Sequence, residues 1–482
     1  MISTHDFSMN SAHYARMGEQ ECNKIHLATL EILERTGVDV HDETARNILV
    51  GGGATADGKR IRIPEYMVTR ALSTAPERIT LYDRNKNVAM RAWGHRTYFG
   101  GGSDCLNILD HKTGARRDPT LKDVIDAARL MDALGEIDFV MSLILPKDVH
   151  QSIYDRYQME VMLNNTTKPI VFVSPDFQGC KAAVEMCEAV AGGVEEFKKH
   201  PFAICYINPT SGMVINEEAL QKSIYIAEKG LPQLWIPLNA GGVNSPATTA
   251  GCMASMNAGM MLGVVLSQLV KEGAPIAVPG WNGGPYNLMT MVGNYVLADE
   301  QGVATSMGRY YNLPVFGLGG STDSKVLDQQ CAIEMTISLM TSLLHGANIV
   351  HDVGFMESGL QGSLQLLVIA NETIGFLRAA TKGVKVDDET LALDVIEEQG
   401  PTGNYLSHPH TMRHYKEPFY SKLFDKGTYS RWEKKGKMSM EQKAAQVVDD
   451  ILKNHRVDPL PPNVQAKIKA IVKNEQDWID GK

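Results

Sequence analysis

Eight short apolar runs, each followed by a longer stretch with helical spacing, constrain the fold of this chain more than any other feature. The runs are TYFGG from Thr97, DFVMSLIL from Asp138, PIVFVS from Pro169, PFAICYIN from Pro201, QLWIPLN from Gln233, APIAVPGW from Ala274, PVFGLGG from Pro314 and NIVHDVG from Asn348. Amphipathic segments such as LKDVIDAARLMDALG, QSIYDRYQMEVMLNN, EEALQKSIYIAEKG and CAIEMTISLMTSLLHG separate them. Several runs open on proline directly after a helical stretch, which stops the helix and starts an extended segment. Strands that are apolar throughout belong to a parallel sheet buried on both faces. Eight βα units of this kind are expected to close into an α/β TIM (β/α)8 barrel. An open doubly wound sheet is the competing arrangement, but no G-x-G-x-x-G stands between a first strand and its helix.

The spacing predicts helices over Gly18 to Thr36 and His41 to Val50, then an extended piece and a helix opening at Pro64. The organisation expected is an N-terminal helical layer over 1–95, the barrel over 96–384 and a C-terminal helical extension packed on it over 385–482. Although the chain has 482 residues, barrels of this class exceed the usual domain length as one unit.

Charge and cysteine usage exclude several functions. The formal net charge is −9 and no continuous basic stripe occurs, which argues against nucleic acid as a partner. Seven scattered cysteines without a C-x-x-C pair fit neither a disulfide framework nor a zinc ribbon. MISTHDFSMNSAHYARMGEQ lacks the basic and apolar regions of a signal peptide. The Met-rich stretch near Met253 to Val270 is broken by Ser255, Asn257, Ser267 and Gln268, and reads as core rather than as a membrane span. A cytoplasmic protein without membrane association is expected, and its many apolar helices leave room for a homo-oligomer.

In a barrel, chemistry belongs where strands end, because the βα loops form the open face. Those ends carry Tyr98, Asp104, Asn208, Trp281, His351, Asp352 and Phe355. No H-E-x-x-H or P-loop is present, and no G-x-S-x-G elbow. Cys105 reads as a small hydrophobe. His408, His410 and His414 in SHPHTMRHY lie close together, but without a carboxylate pattern they read as hydrogen-bonding groups, so no metal is expected on this chain. A barrel lyase or aldolase would need a Schiff-base lysine, and only Lys147 and Lys325 lie just beyond a run. A non-catalytic binding protein, for the betaine that the resemblance given next implies, is a third reading.

The segments WNGGPYNLMTMVGNYVLADEQGVATSMGRYYNLPVFGLGGSTDSKVLDQQCAIE and GANIVHDVGFMESGLQGSLQLLVIANE, with YFGGGSD and SHPHTMRHY, resemble the trimethylamine methyltransferase superfamily. The resemblance implies a TIM barrel that demethylates a methylated amine and passes the methyl group to the cobalt of a corrinoid (cobalamin) carried by a separate small protein. Founding members carry pyrrolysine; this chain has standard residues throughout and looks like the branch without it, whose characterised members act on glycine betaine, proline betaine, carnitine or γ-butyrobetaine. Glycine betaine is the favoured substrate. A quaternary ammonium offers no hydrogen bond and is held by aromatic faces and carboxylates. Tyr98, Trp281 and Phe355 are the expected walls, Asp104 or Asp352 the charge, and Asn208 a further contact. His351 and Arg309 are the expected donors to a betaine carboxylate. His351 and Asp104 are the candidate catalytic residues.

Overall fold

The computed structural model describes residues 13–283, 286–287, 289–290, 292–293, 296, 302–479 and 481. Part of the segment quoted above after Trp281 therefore lies outside the described residues.

Each of the eight runs becomes a strand of one closed sheet. The strands are β1 (Tyr98–Gly101), β2 (139–140), β3 (Ile170–Val173), β4 (Ala203–Ile207), β5 (Gln233–Trp235), β6 (Ile276–Pro279), β7 (Val315–Leu318) and β8 (Ile349–Val353). Seven of them form a continuous parallel sheet in the order β1-β8-β7-β6-β5-β4-β3. The two edges meet at β2, where Gly100 bridges Phe139 and Val140 bridges Ile170, both in parallel sense. The ring thus closes in chain order. Its outer layer is built from helices Leu121–Ala133, Tyr154–Asn165, Phe177–Ala191, Glu217–Lys229, Thr249–Val270, Val303–Tyr310, Gln329–His345 and Leu364–Thr381, one after each strand.

Burial on both faces explains why the runs are apolar without interruption. Phe99, Val140, Phe172, Cys205, Trp235, Val278, Val315 and Val350 belong to the core shared with the outer helices. Their neighbours Tyr98, Phe139, Val171, Ile204, Leu234, Ala277, Phe316 and Ile349 fill the interior.

The start of the chain is more than a helical layer. Helices Glu19–Glu31, Glu43–Gly51 and Glu65–Thr74 all touch Thr249–Val270. They are followed by an antiparallel hairpin of Ile79–Tyr82 and Val88–Ala92. Leu81, Ala89, Met90 and Ala92 of that hairpin share the interior core, so it plugs the end of the barrel where the strands begin.

Thr249–Val270 is long and apolar enough to cross a membrane by length and composition, yet 89% of its apolar window is buried inside the fold. The polar residues that interrupt it make hydrogen bonds there: Ser255 Oγ accepts from Asn239 Nδ2 at 2.9 Å, Asn257 Nδ2 donates to Tyr311 Oη at 2.7 Å, and Gln268 Nε2 donates to the Ala274 carbonyl at 2.9 Å. The C-terminal helices clasp the barrel from outside, Met440–Asn454 against Leu364–Thr381 and Leu121–Ala133, and Pro462–Ile479 against Phe177–Ala191 and Tyr154–Asn165.

Candidate active site

The last strand carries the irregularity around which the site is built. Pairing of β8 with β1 slips between Val350 and Val353, and Asp352 has φ +77°. Side chains of successive strand residues ordinarily face opposite sides. A bulge with one left-handed residue breaks that alternation and re-aims a side chain. Here it returns the Asp352 carboxylate to 3.4 Å from His351 Nε2, with both side chains buried. His351 Nδ1 lies 2.7 Å from the Gly317 carbonyl. A carbonyl only accepts, so Nδ1 carries the hydrogen and Nε2 is the atom left for Asp352 and for a ligand.

Three aromatic rings surround that imidazole. Phe316 lies 4.2 Å from it between centroids, Trp281 5.0 Å and Tyr206 5.7 Å. Phe316 is also 5.1 Å from Tyr206 and 6.0 Å from Trp281. Phe316 is fully buried and forms a floor, while Tyr206 and Trp281 are partly open where β4 and β6 end. Asn208, exposed two residues beyond Tyr206, donates from Nδ2 to its hydroxyl at 3.2 Å. Burial raises the Tyr206 phenol well above its ordinary range, the Asn208 hydrogen bond opposing and the Asp352 charge adding to that shift. Asn282, next to Trp281, is 2% exposed, and neither end of its amide has a partner among the described residues. Such a group costs roughly 1–3 kcal/mol until something satisfies it.

Asp352 and Phe355 share the glycine-rich end of β1. A Cβ at Gly102 would lie 2.2 Å from Phe355 Cζ and 2.5 Å from Asp352 Oδ1, so only glycine lets both approach. Phe355 therefore stands behind the carboxylate on the β1 side. Asp104, with φ +64°, is held by Gln158 Nε2 at 2.9 Å and faces the Ser142 hydroxyl at 3.5 Å. Burial pushes its carboxyl up to about 6, the hydrogen bond from Gln158 opposing and the Asp155 charge adding to the rise. Cys105 is completely buried, and burial together with Asp352 and Asp104 raises its thiol far above the reactive range, in keeping with a packing role.

Two of the expected site residues lie toward the closed end of the barrel. Tyr98 is the first residue of β1 and pairs level with Ile349, so it sits in the interior layer below His351. Its hydroxyl accepts from the Arg91 amide of the plugging hairpin at 3.1 Å. Arg309 is in the last turn of Val303–Tyr310, and a barrel helix runs antiparallel to its strands. That turn lies at the closed end, where Arg309 Nη1 donates to the carbonyls of Gly94 at 3.0 Å and Gly346 at 3.3 Å. His408, His410 and His414 belong to the C-terminal extension, at helix Pro409–His414. Lys147 pairs with Asp118, and Lys325 donates to the Asp323 carbonyl; neither reaches the rings described above.

Tyr206 and Phe316 went unrecognised in the sequence because they sit inside apolar runs. The available signal was the period of two: Tyr206 follows the inward-facing Ile204 by two residues, and Phe316 stands two residues before Leu318, the last residue of β7.

The family described as Trimethylamine methyltransferase (MTTB) matches residues 3–479. Trimethylamine methyltransferase MttB of Desulfitobacterium hafniense (strain DSM 10664 / DCB-2) is 32% identical over 471 residues, covering 96% of this chain and 94% of that protein. The protein of the same description from Methanosarcina barkeri (strain Fusaro / DSM 804) is 30% identical, with 96% of each covered. Glycine betaine methyltransferase of Desulfitobacterium hafniense (strain Y51) is 27% identical over 95% of this chain and 96% of its own length. The crystal structure of the Methanosarcina barkeri monomethylamine methyltransferase (MtmB) aligns with 91% of this chain and 89% of that one at 12% identity, with a TM-score of 0.48.

Proposed function

Because the chain belongs to the trimethylamine methyltransferase family and is a methyltransferase, we propose that it takes a methyl group from a quaternary amine, glycine betaine first, and delivers it to a corrinoid carried by a separate small protein. The observation that carries this reading is the ring cluster of Tyr206, Trp281 and Phe316 around His351, with the Asp352 carboxylate beside it.

A trimethylammonium group has neither N–H nor lone pair, so it is bound through ring faces and nearby negative charge. Tyr206 and Trp281 supply faces at the mouth, Phe316 supplies the floor, and Asp352 supplies the charge. Asn208 and Phe355 act through these groups, Asn208 by fixing the Tyr206 hydroxyl and Phe355 by backing the Asp352 carboxylate. In its doubly protonated form His351 donates from Nε2 to the substrate carboxylate while Nδ1 donates to the Gly317 carbonyl. Groups suited to opposite charges thus stand 3.4 Å apart on consecutive residues. That spacing favours a zwitterion whose charges are one methylene apart over carnitine or γ-butyrobetaine, whose charges are three carbons apart.

The corrinoid supplies a reduced cobalt nucleophile. On this chain the work is positioning, with one N–CH3 bond aimed outward from the floor. The electron pair of the breaking C–N bond stays on nitrogen, which leaves as a neutral tertiary amine. No general acid is required, in accord with a site that offers rings and one carboxylate in place of a proton relay. Asp104 lies outside the ring cluster and holds the β1–β2 loops in place. The seven cysteines are all free, which supports a reducing, cytoplasmic setting.

Mixing the protein with cob(I)alamin and, separately, glycine betaine, proline betaine, carnitine, γ-butyrobetaine and trimethylamine tests the reading through methylcobalamin absorbance. Fastest transfer from glycine betaine is expected. Transfer from trimethylamine alone would overturn the substrate assignment, and transfer from none would overturn the reaction.

A further inference from the structure

SHPHTMRHY lacks a carboxylate in its own sequence, but the fold supplies one. Helix Pro409–His414 places His410 and His414 four residues apart on one face, with ring centroids 4.3 Å apart. Helix Asp388–Leu391 brings Glu389 against them. One ligating atom from each of Glu389, His410 and His414 lies within 4.8 Å of the others.

We propose that these three side chains form a binding site for one zinc-class divalent cation, stapling these two short helices of the C-terminal extension together. His414 Nε2 and Glu389 Oε1 are 3.2 Å apart. Two ligand atoms at about 2.0–2.1 Å from a tetrahedral zinc stand at nearly that separation. His414 Nδ1 donates to Glu417 Oε1 at 2.6 Å, so Nε2, which donates to Glu389 Oε1 at 3.2 Å without metal, is the nitrogen that turns its lone pair to a cation displacing that hydrogen. A ligating histidine is ordinarily oriented by such a carboxylate, which also raises its basicity. Two imidazoles and one carboxylate suit zinc, with water in the fourth position.

Arg413 donates to Glu389 Oε1 at 2.9 Å and supplies the positive charge when no metal is bound. Its side chain is 56% exposed, so it can swing out toward solvent. His408 stays outside the site: its Nδ1 accepts from the His410 amide at 3.1 Å and caps the helix.

The surrounding segment gives the staple its purpose. Val386 is 69% exposed, Leu393 67% and Leu406 79%, so little core holds residues 385–417 in shape. A metal joining Glu389 to His410 and His414 fixes that loop where packing does not.

The full chain, stripped with a chelator and dialysed, is titrated with zinc chloride; bound metal is counted by mass spectrometry, and amide exchange over 386–414 is followed. One zinc per chain is expected, with slower exchange in that segment. His410→Ala and His414→Ala should each abolish stoichiometric binding, and His408→Ala should retain it. Glu417→Gln leaves every ligand in place and should weaken binding about 10- to 100-fold. Absence of zinc from the wild-type chain, or full retention by the His410→Ala/His414→Ala double variant, would overturn the assignment.

Discussion

His351 Nε2 lies 3.4 Å from Oδ1 of Asp352, the next residue in the chain, although neighbours on a strand ordinarily face opposite ways. The slip in β8 pairing and the left-handed backbone at Asp352 make this contact. Strained backbone persists only where the surroundings hold it, and it gathers at functional sites. Here the holding contacts are Phe316 and Trp281 on the imidazole and Gly102 beneath the carboxylate.

His351→Gln should therefore cost binding more than folding. A hydrogen bond to a charged group contributes about 1.5–3 kcal/mol, so the Kd for glycine betaine should rise roughly 10- to 100-fold. The variant keeps a polar side chain of similar reach, and its melting temperature should fall by only a few degrees. Calorimetric titration beside thermal unfolding checks both. Unchanged affinity with a large loss of stability would make His351 a packing residue.

Gly102→Ala probes the support from the other strand. The added methyl group would sit 2.2 Å from Phe355 Cζ and 2.5 Å from Asp352 Oδ1. Overpacking of this kind costs about 1–3 kcal/mol, and relief requires the carboxylate to move. Urea unfolding should show the loss, and kcat/KM should fall with it. Asp352→Asn makes the complementary change, since asparagine tolerates the left-handed backbone as aspartate does. It should fold normally and bind the quaternary amine more weakly.

The aromatic cage separates ring face from hydroxyl. Trp281→Leu and Tyr206→Leu each remove a face that contributes about 0.5–2 kcal/mol, or roughly 2- to 30-fold in Kd. Tyr206→Phe keeps the face and loses only the hydroxyl that accepts from Asn208, so its Kd should change little. Binding measured with the phenylalanine variant as weak as with the leucine variant would mean that the hydroxyl, not the ring, holds the substrate.

All eight strands could be read from the sequence because a parallel sheet buried on both faces writes itself as unbroken apolar runs. The candidate site could be read only in part. His351, Asp352 and Trp281 are polar or aromatic breaks at the ends of runs, whereas Tyr206 and Phe316 lie within PFAICYIN and PVFGLGG and look like core. Tyr98 and Arg309 show what composition leaves out. An aromatic at the start of a strand and a cation at the end of a helix both belong to the closed end of a barrel, and direction along the element decides this, not residue type. The hairpin at Ile79–Tyr82 and Val88–Ala92 escaped notice because its inward residues cover the interior core, and nothing local names that core as their partner.

Asp104 predicts a pH dependence of stability whose sign is fixed by burial. In the fold its carboxyl is raised to about 6, with burial the largest cause, against about 3.9 in an unfolded chain. Between these values the folded chain keeps a proton that the unfolded chain has lost. Unfolding free energy therefore falls as pH rises through that window and stops changing from this source above about pH 6. Asp104→Asn keeps an oxygen to accept from Gln158 Nε2 and cannot ionise. The difference in unfolding free energy between variant and parent, measured in urea at several pH values, cancels the other titrating groups. It should shift in favour of the variant as pH rises from about 4 to 6 and then level off. A difference independent of pH would mean that Asp104 is ionised throughout and that its hydrogen bonds, not burial, decide its state.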